Sequence, residues 1–494
     1  MWVESMEKKL DDAEPMGMKE KWKKHCIFRV PPHFKVGRGN VFTPQTVALG
    51  PFHHNDVALR PMEEHKLRAV QHVLRRAGKP LRELAAAVEE MAEELEDAYA
   101  GLDGEWRGDN RGKFLEMMVA DGCFLLEVMQ SNEGYDQNDP VFGEHARRHI
   151  KPFVQRDMLM VENQLPLALL RRIFELEKGR VQDEPINNIV SKFLCGGGFC
   201  ATHVGPPLAL HPLDLYRRSL LLRPTLPPAY RVGQRTNCCF PTTGATRPNE
   251  QGSSCCLPTR TETRPPAPRF RGESTPEPKP GTPSQRSAKR LWESGVRFKP
   301  SRTRCYDDIR FDTSSGWRLE MPRVHLDDST EHKLSNLMAF EALRAGSGNA
   351  VTAFVLFMRD MVESEEDVAV LRKGKVLEHD LAGDDAAAVA LFGRLTMDVA
   401  TFGESDLCRV REEVEDYCDG HKCRVFVFKS WAKLRNSHLS SPWTFLALMF
   451  SLLLIGTDIT QTVFAVMSYR HDTKNDGQEL APAAPKAARW PGHH

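Results

Sequence analysis

The run from Arg156 to Phe174, RDMLMVENQLPLALLRRIF, places Asp157 and the consecutive Glu162, Asn163 and Gln164 inside otherwise apolar text. Whatever folds around this run must accommodate that polarity. Pro166 lacks an N–H and suits the first turn of a helix. Asn163 is a good N-cap just upstream, and Leu165, Leu169, Leu170 and Phe174 follow at helical spacing. The pattern predicts one helix ending within 157–162 and another starting at 165, with Glu162 and Gln164 bonding orphan amides at the junction. Asp157 and Glu162, five residues apart, fall on different helix faces. That spacing disfavours an acid/base pair.

Upstream, residues 1–25 are charged and predict a loose terminus, while 26–51 is rich in Val, Phe, Pro and Gly and predicts extended segments and turns against the first helices. Residues 62–76 are amphipathic. Leu81, Leu84, Val88, Met91, Leu95 and Ala98 then form a second apolar stripe, with the glutamates between them as a solvated face. FLEMMVADGCFLLEVM (114–129) is apolar nearly all round, as a central buried helix should be. Asp121 lies inside it, and a buried Asp needs partners, which marks it as an internal hydrogen-bond hub.

Candidate ligand sets are weak. His53 and His54, beside Asp56, point in different directions on any regular element and have no third ligand at a useful spacing. Cys195, Cys200 and His203 lack a tight cysteine pair and a clear fourth ligand. Neither a metal nor a cofactor is expected. The 12 cysteines read as reduced thiols, because a chain of 494 residues has no need of a disulfide framework.

Composition shifts abruptly between Arg223 and Arg286, which holds 13 of the 33 prolines and ten Lys/Arg against four Asp/Glu. Such a block cannot bury enough apolar surface to offset chain entropy and is expected to be disordered. It is either a basic docking linker or translated non-coding sequence. From 287 onward VRFKP, DIRFD and WRLEMP predict short strands, with Ser314, Ser315 and Gly316 as a turn. Asp328 or Ser329 would cap the next helix. Residues 351–362 read as a buried helix, and the stretch through 379 as a short helix and turn. Asp384 and Asp385 open another helix. The expected fold is mainly α: a helical body (26–222 and 287–436) with a few short strands, the block at 223–286 looping out, and a C-terminal transmembrane helix.

That last helix is Trp443–Met467. Its uninterrupted apolar run to Gly456 rises about 21 Å, against about 30 Å for a bilayer core, so a span must include Asp458 and Gln461. An Asp at that depth is costly and either pairs with another membrane helix or marks a solvated helix end. Lys422, Arg424, Lys429, Lys433 and Arg435 precede the span, while Arg470, Lys474 and Lys486 follow it. This bias predicts a cytosolic body. The absence of any Asn-x-Ser/Thr sequon and of an N-terminal apolar leader leans the same way. A polar tail of 468–494 makes the chain read as tail-anchored.

Several strings together resemble one family. They are D-x-x-x-x-E-N-Q-L-P, IFRVPPHFKV, FTPQTVALGPFHH with MEEHK, FLEMMVADGCFLLEVM, HPLDLY, SGVRFKP, DIRFDTSSGWRLEMPRV, NLMAFEAL and SPW before the apolar helix. The chain resembles the plant domain-of-unknown-function 247 family, also called uncharacterised protein family 0481, from Cys26 to Met467 apart from the interior block. Asp458 departs from the family pattern, where an apolar residue is expected. The resemblance implies a membrane protein of unknown biochemistry, with some members associated with pollen–stigma self-incompatibility in grasses. It also implies shared roles, structural or in interaction, for Pro51, His53, His54, Asp121, Asp157, Glu162, Asn163, Gln164 and Pro166.

Formal net charge is zero, which argues against whole-protein attraction to nucleic acid, and the basic block lacks interleaved aromatics. No G-x-S-x-G, H-E-x-x-H, P-loop or kinase set is present. A membrane-anchored interaction or signalling protein with an unknown protein partner is therefore expected. The alternative is an enzyme whose site draws on Asp121, Asp157, Glu162 or the His53–His54 pair.

Overall fold

A computed structural model describes residues 2–11, 22–130, 135–195, 204–222, 286–314, 316–397, 399, 406–421, 426–428, 430 and 442–475. The block at 223–285, Cys200 and His203, and the basic residues at 422, 424, 429, 433, 435 and 486 lie outside them. The chain is mainly α, with five short strands among the described residues and one C-terminal helix long and apolar enough to cross a membrane.

The first half is built round the Arg111–Gln130 helix, whose side chains from Met117 to Met129 are all buried. Four helices, Glu63–Ala77, Leu81–Glu89, Leu167–Lys178 and Asp183–Cys195, pack on it. Gly122 sets the closest approach: a Cβ there would stand 2.5 Å from Ile173 Cδ1. The apolar stripe between Leu81 and Ala98 is split into two helices, Leu81–Glu89 and Ala92–Ala98, by a turn at Glu90 and Met91. Trp2–Asp11 is an exposed helix.

The second half gathers round the Thr330–Leu343, Ala350–Met361 and Asp385–Leu395 helices. A three-stranded sheet flanks them: β1 (Arg297–Pro300) lies parallel to β3 (Arg318–Met321), and β2 (Arg310–Asp312) runs antiparallel to β3. Leu319, fully buried, pairs with Phe298 on one side and Phe311 on the other. A second sheet joins β4 (Val324–Leu326) to β5 (Leu377–His379) in parallel. The sequence pattern had placed β5 in a helix and turn. Three residues carry no period of their own, and only pairing with a strand 53 positions earlier makes them β. At the Thr330 helix neither Asp328 nor Ser329 caps by side chain; Asp327 accepts from the Ser329 amide and the Thr330 hydroxyl instead.

Two apolar clusters result, one per half, and a few residues cross over. Val30, Phe42, Leu159, Val161 and Leu213 come from the first half yet sit in the second cluster, while Leu194 and Leu210 touch both. The loop from Asp157 to Pro166 thus runs along the seam between the two cores.

Candidate functional site

Residues 45–50 thread through this seam without regular secondary structure, and Val47, Ala48 and Leu49 are fully buried. Buried backbone groups with no ladder to join must find side-chain partners. The polar residues of the Arg156–Phe174 run supply most of them. Asp157 accepts from the amides of Gln45, Thr46 and Val47, at 2.6 Å from Thr46. Asn163 accepts from the Leu49 amide through Oδ1 (2.7 Å) and donates through Nδ2 to the Val47 carbonyl. Asp121 accepts from the Gly50 amide at 2.7 Å, and Lys66 donates to the Ala48 carbonyl at 2.8 Å. Gly50 has φ +78°, and a Cβ there would press within 3 Å of the Tyr99 hydroxyl and the Gln164 carbonyl, so only glycine fits.

Asn163 is therefore not a helix cap. Its side chain is spent on Val47, Leu49 and the Asp157 carbonyl, and Pro166 holds the N-cap position of the Leu167–Lys178 helix. Gln164 bonds carbonyls of the junction, not its amides, and the amide it accepts from belongs to the Pro212–Leu221 helix. Its Nε2 donates to Met158 and Met160, while its Oε1 accepts from Leu213 at 3.0 Å.

Glu162 faces the other way, accepting from the Val30 amide at 2.6 Å, with Lys35 and His53 at 2.9 and 3.2 Å. Burial raises its pKa, but His53, Lys35 and the Val30 amide outweigh that and hold it below the ordinary glutamate value. Burial pushes Asp157 up, opposed by its three amides. Asp121 and Lys66 are both fully buried and pair at 2.6 Å, with Glu63 on the same ammonium. Burial disfavours the Lys66 charge, yet Asp121 and Glu63 together keep its pKa above the usual lysine value.

Among the acids and histidines of the catalytic alternative, His53 and Glu162 make contact. Asp121 pairs with Lys66, Asp157 with backbone, and His54 turns edge-on to Trp106 with ring centroids 5.4 Å apart. Pro51 lies buried in a turn between Gly50 and these histidines. Among the described residues no group of three His, Cys, Asp or Glu is placed to hold a metal ion. Cys26, Cys123, Cys305, Cys408 and Cys418 form no disulfide.

Sequence reasoning missed four members of this network. Lys66 reads as an ordinary residue of an amphipathic helix. Tyr99 donates to the Gln164 carbonyl at 2.9 Å. His211 caps its helix by accepting from the Asp214 amide, and its Nε2 donates to the Cys26 carbonyl at 3.0 Å. Asn336, from the second half, accepts from Val161 and donates to Val41. The one signal for His211 was its place before Pro212 in HPLDLY, a helix-start pattern.

The C-terminal helix contrasts with all of this. Pro442–Asn475 is 34 residues long, and its most apolar stretch, Met449–Arg470, is 0% buried. Ser451, Thr457, Thr460 and Thr462 each donate back to a carbonyl three or four residues earlier. Asp458 and Gln461 lie exposed on the same helix.

A family model described as a plant protein of unknown function, DUF247, matches residues 27–456. UPF0481 protein At3g47200 of Arabidopsis thaliana is 27% identical over 472 residues, covering 92% of this chain and 89% of that protein. Putative UPF0481 protein At3g02645 of the same plant is 24% identical over 530 residues, covering 94% and 95%. No solved structure matches.

Proposed function

The chain belongs to the DUF247 family of plant proteins of unknown function, and from that premise we propose a non-enzymatic interaction protein held at a membrane by its C-terminal helix. The carrying observation is the uncovered stretch Met449–Arg470. Twelve large apolar side chains between Leu446 and Met467 are exposed, and each left in water forgoes about 1.5–3 kcal/mol. A bilayer removes that cost. The helix rises about 51 Å at about 1.5 Å per residue, more than a hydrocarbon core requires, and the hydroxyls of Ser451, Thr457, Thr460 and Thr462 already have carbonyl partners inside the helix, which suits an apolar medium.

The body supports the interaction reading through what its acids do. Asp121, Asp157 and Glu162 are each engaged by backbone amides or by cations, which leaves them structural work. Recognition or signalling toward a protein partner is the finer form of this reading, with the body in the cytosol on the flanking-charge argument. On this reading Asp458 is the contact to a second membrane helix.

Topology mapping tests it. Asn-x-Ser/Thr sequons introduced near residue 10 and near residue 480, in separate variants expressed with microsomes, report each end against a sequon-free background. Glycosylation at the C-terminal site alone is expected. Glycosylation at the N-terminal site alone would put the body outside and make it a cell-surface module, and none at either site would remove the span.

A further inference from the structure

A cleft of about 640 Å³ opens where the Arg111–Gln130 helix ends among the Glu144–Asp157, Leu167–Lys178 and Asp183–Cys195 helices. That volume lies within the range of small-molecule sites. The first apolar cluster reaches the surface here: Met129, Val141 and Phe193 belong to it, Ile150, Phe174 and Ile189 pack against it half-buried, and all six line the cleft. Filled with water, such a lining forgoes the gain of apolar burial. The charged side chains of the lining are Arg148, Lys151, Lys178 and Lys192 against Glu144. Arg148 pairs with Glu144, and Lys178 shares Glu177 with Arg76. Lys151 holds its Nζ 5.2 Å from the centre of the Phe193 ring, at the apolar floor. Lys192 is exposed, and neither of these two lysines has an acidic partner among the described residues. Gln155 donates to the Phe193 carbonyl and so ties the helix of Lys151 to that of Lys192 beside the cleft.

We propose that this cleft binds a single-chain anionic amphiphile: a carboxylate or phosphate head on one alkyl chain. The two halves of the lining select the two halves of the ligand. An ammonium group only donates, so a head that Lys151 and Lys192 recognise must accept, and negative charge strengthens those bonds. A cationic head would meet two uncompensated lysines. Gln130 is the one neutral polar side chain of the described lining, so a sugar or a nucleotide would bury hydroxyls and ring nitrogens against Phe174, Ile189 and Phe193 without partners. An extended peptide would bury unbonded amides there in the same way. An alkyl chain has no polar group to satisfy and gains by burial alone. This inference does not depend on the membrane reading.

Photolabelling of the full chain in phosphatidylcholine nanodiscs with a diazirine-bearing fatty acid, mapped by peptide mass spectrometry, tests it. Labelling is expected on the peptides that hold Met129, Ile150 and residues 189–193. Decanoate should compete for it, while decanol and decyltrimethylammonium should not. Competition by decyl phosphate in place of decanoate would support the same class and assign the head as a phosphate. At sub-saturating probe, Lys151→Glu and Lys192→Glu should each weaken labelling about tenfold, the scale of one lost charge-assisted hydrogen bond. Lys192 is exposed, so its substitution leaves folding intact and keeps the test decisive if Lys151→Glu misfolds. No labelling at these peptides, labelling that Lys192→Glu leaves unchanged, or competition by decanol equal to that by decanoate would each overturn the proposal. So would protection by an acidic peptide such as polyglutamate with none by decanoate or decyl phosphate.

Discussion

Between Asp157 and Pro166 the chain buries four polar side chains, and between Met449 and Arg470 it leaves its most apolar residues uncovered. Both regions invert the ordinary division of residues, and they resolve the inversion differently. The loop is satisfied from within, because an irregular segment threads past it with amides and carbonyls that need partners. The helix is not satisfied from within: four of its hydroxyls bond carbonyls of their own helix, but no described residue covers its apolar surface. A buried polar residue here reports on backbone nearby; an exposed apolar one marks a surface that no described residue covers.

The sharpest way to break the comparison is at Lys66. Lys66→Met strands Asp121 in the core and should cost about 3–5 kcal/mol, read as a lower urea midpoint of the full chain in detergent. Adding Asp121→Leu should recover part of that loss, because two apolar groups no longer leave a charge unpaired. If the single substitution were silent, the buried ion pair would not be structural.

Acid should loosen the seam next. Burial depresses His211 to about 4 from its ordinary 6.5, and its Nδ1 already accepts from the Asp214 amide, so a second ring proton has nowhere to point. A depressed histidine contributes stability that is whole above the unfolded value and drains as pH falls toward the folded one. Going from pH 7 to pH 5 should therefore cost about 2 kcal/mol at His211, seen in the same urea series; His211→Gln should remove that share and leave the share of His332, which burial depresses to about 3. The smallest effect belongs to the other region. Leu453, 62% exposed, touches no core, so Leu453→Ala should shift the body's unfolding by less than about 0.5 kcal/mol. A larger shift would mean the helix packs on the body.

How legible this was depended on distance along the chain. The central helix, the Ala350–Met361 helix and the apolar C-terminal helix announced themselves through composition and period, which are local. Asp121 stood out as a carboxyl in an apolar helix, though its partner Lys66 sat on a helix that looked ordinary. The local pattern reads Asn163 as a cap because of the helix one turn away, while two of its three partners lie 114 and 116 residues upstream. β5 was hidden for the same reason. Hydrogen bonds between remote backbone and side chains leave no periodic trace, and the seam is made almost wholly of them.

Hydrogen exchange across residues 45–50, in the full chain reconstituted in lipid, tests most directly whether the polar loop clamps that segment. Irregular chain with no ladder ordinarily exchanges fast. Clamped by Asp157, Asn163 and Asp121, its amides should exchange as slowly as those of the Arg111–Gln130 helix, and Asp157→Asn should release 45–47 while the helix stays protected. Fast exchange at 45–50 in the unaltered protein, or protection there that Asp157→Asn leaves untouched, would contradict the clamp.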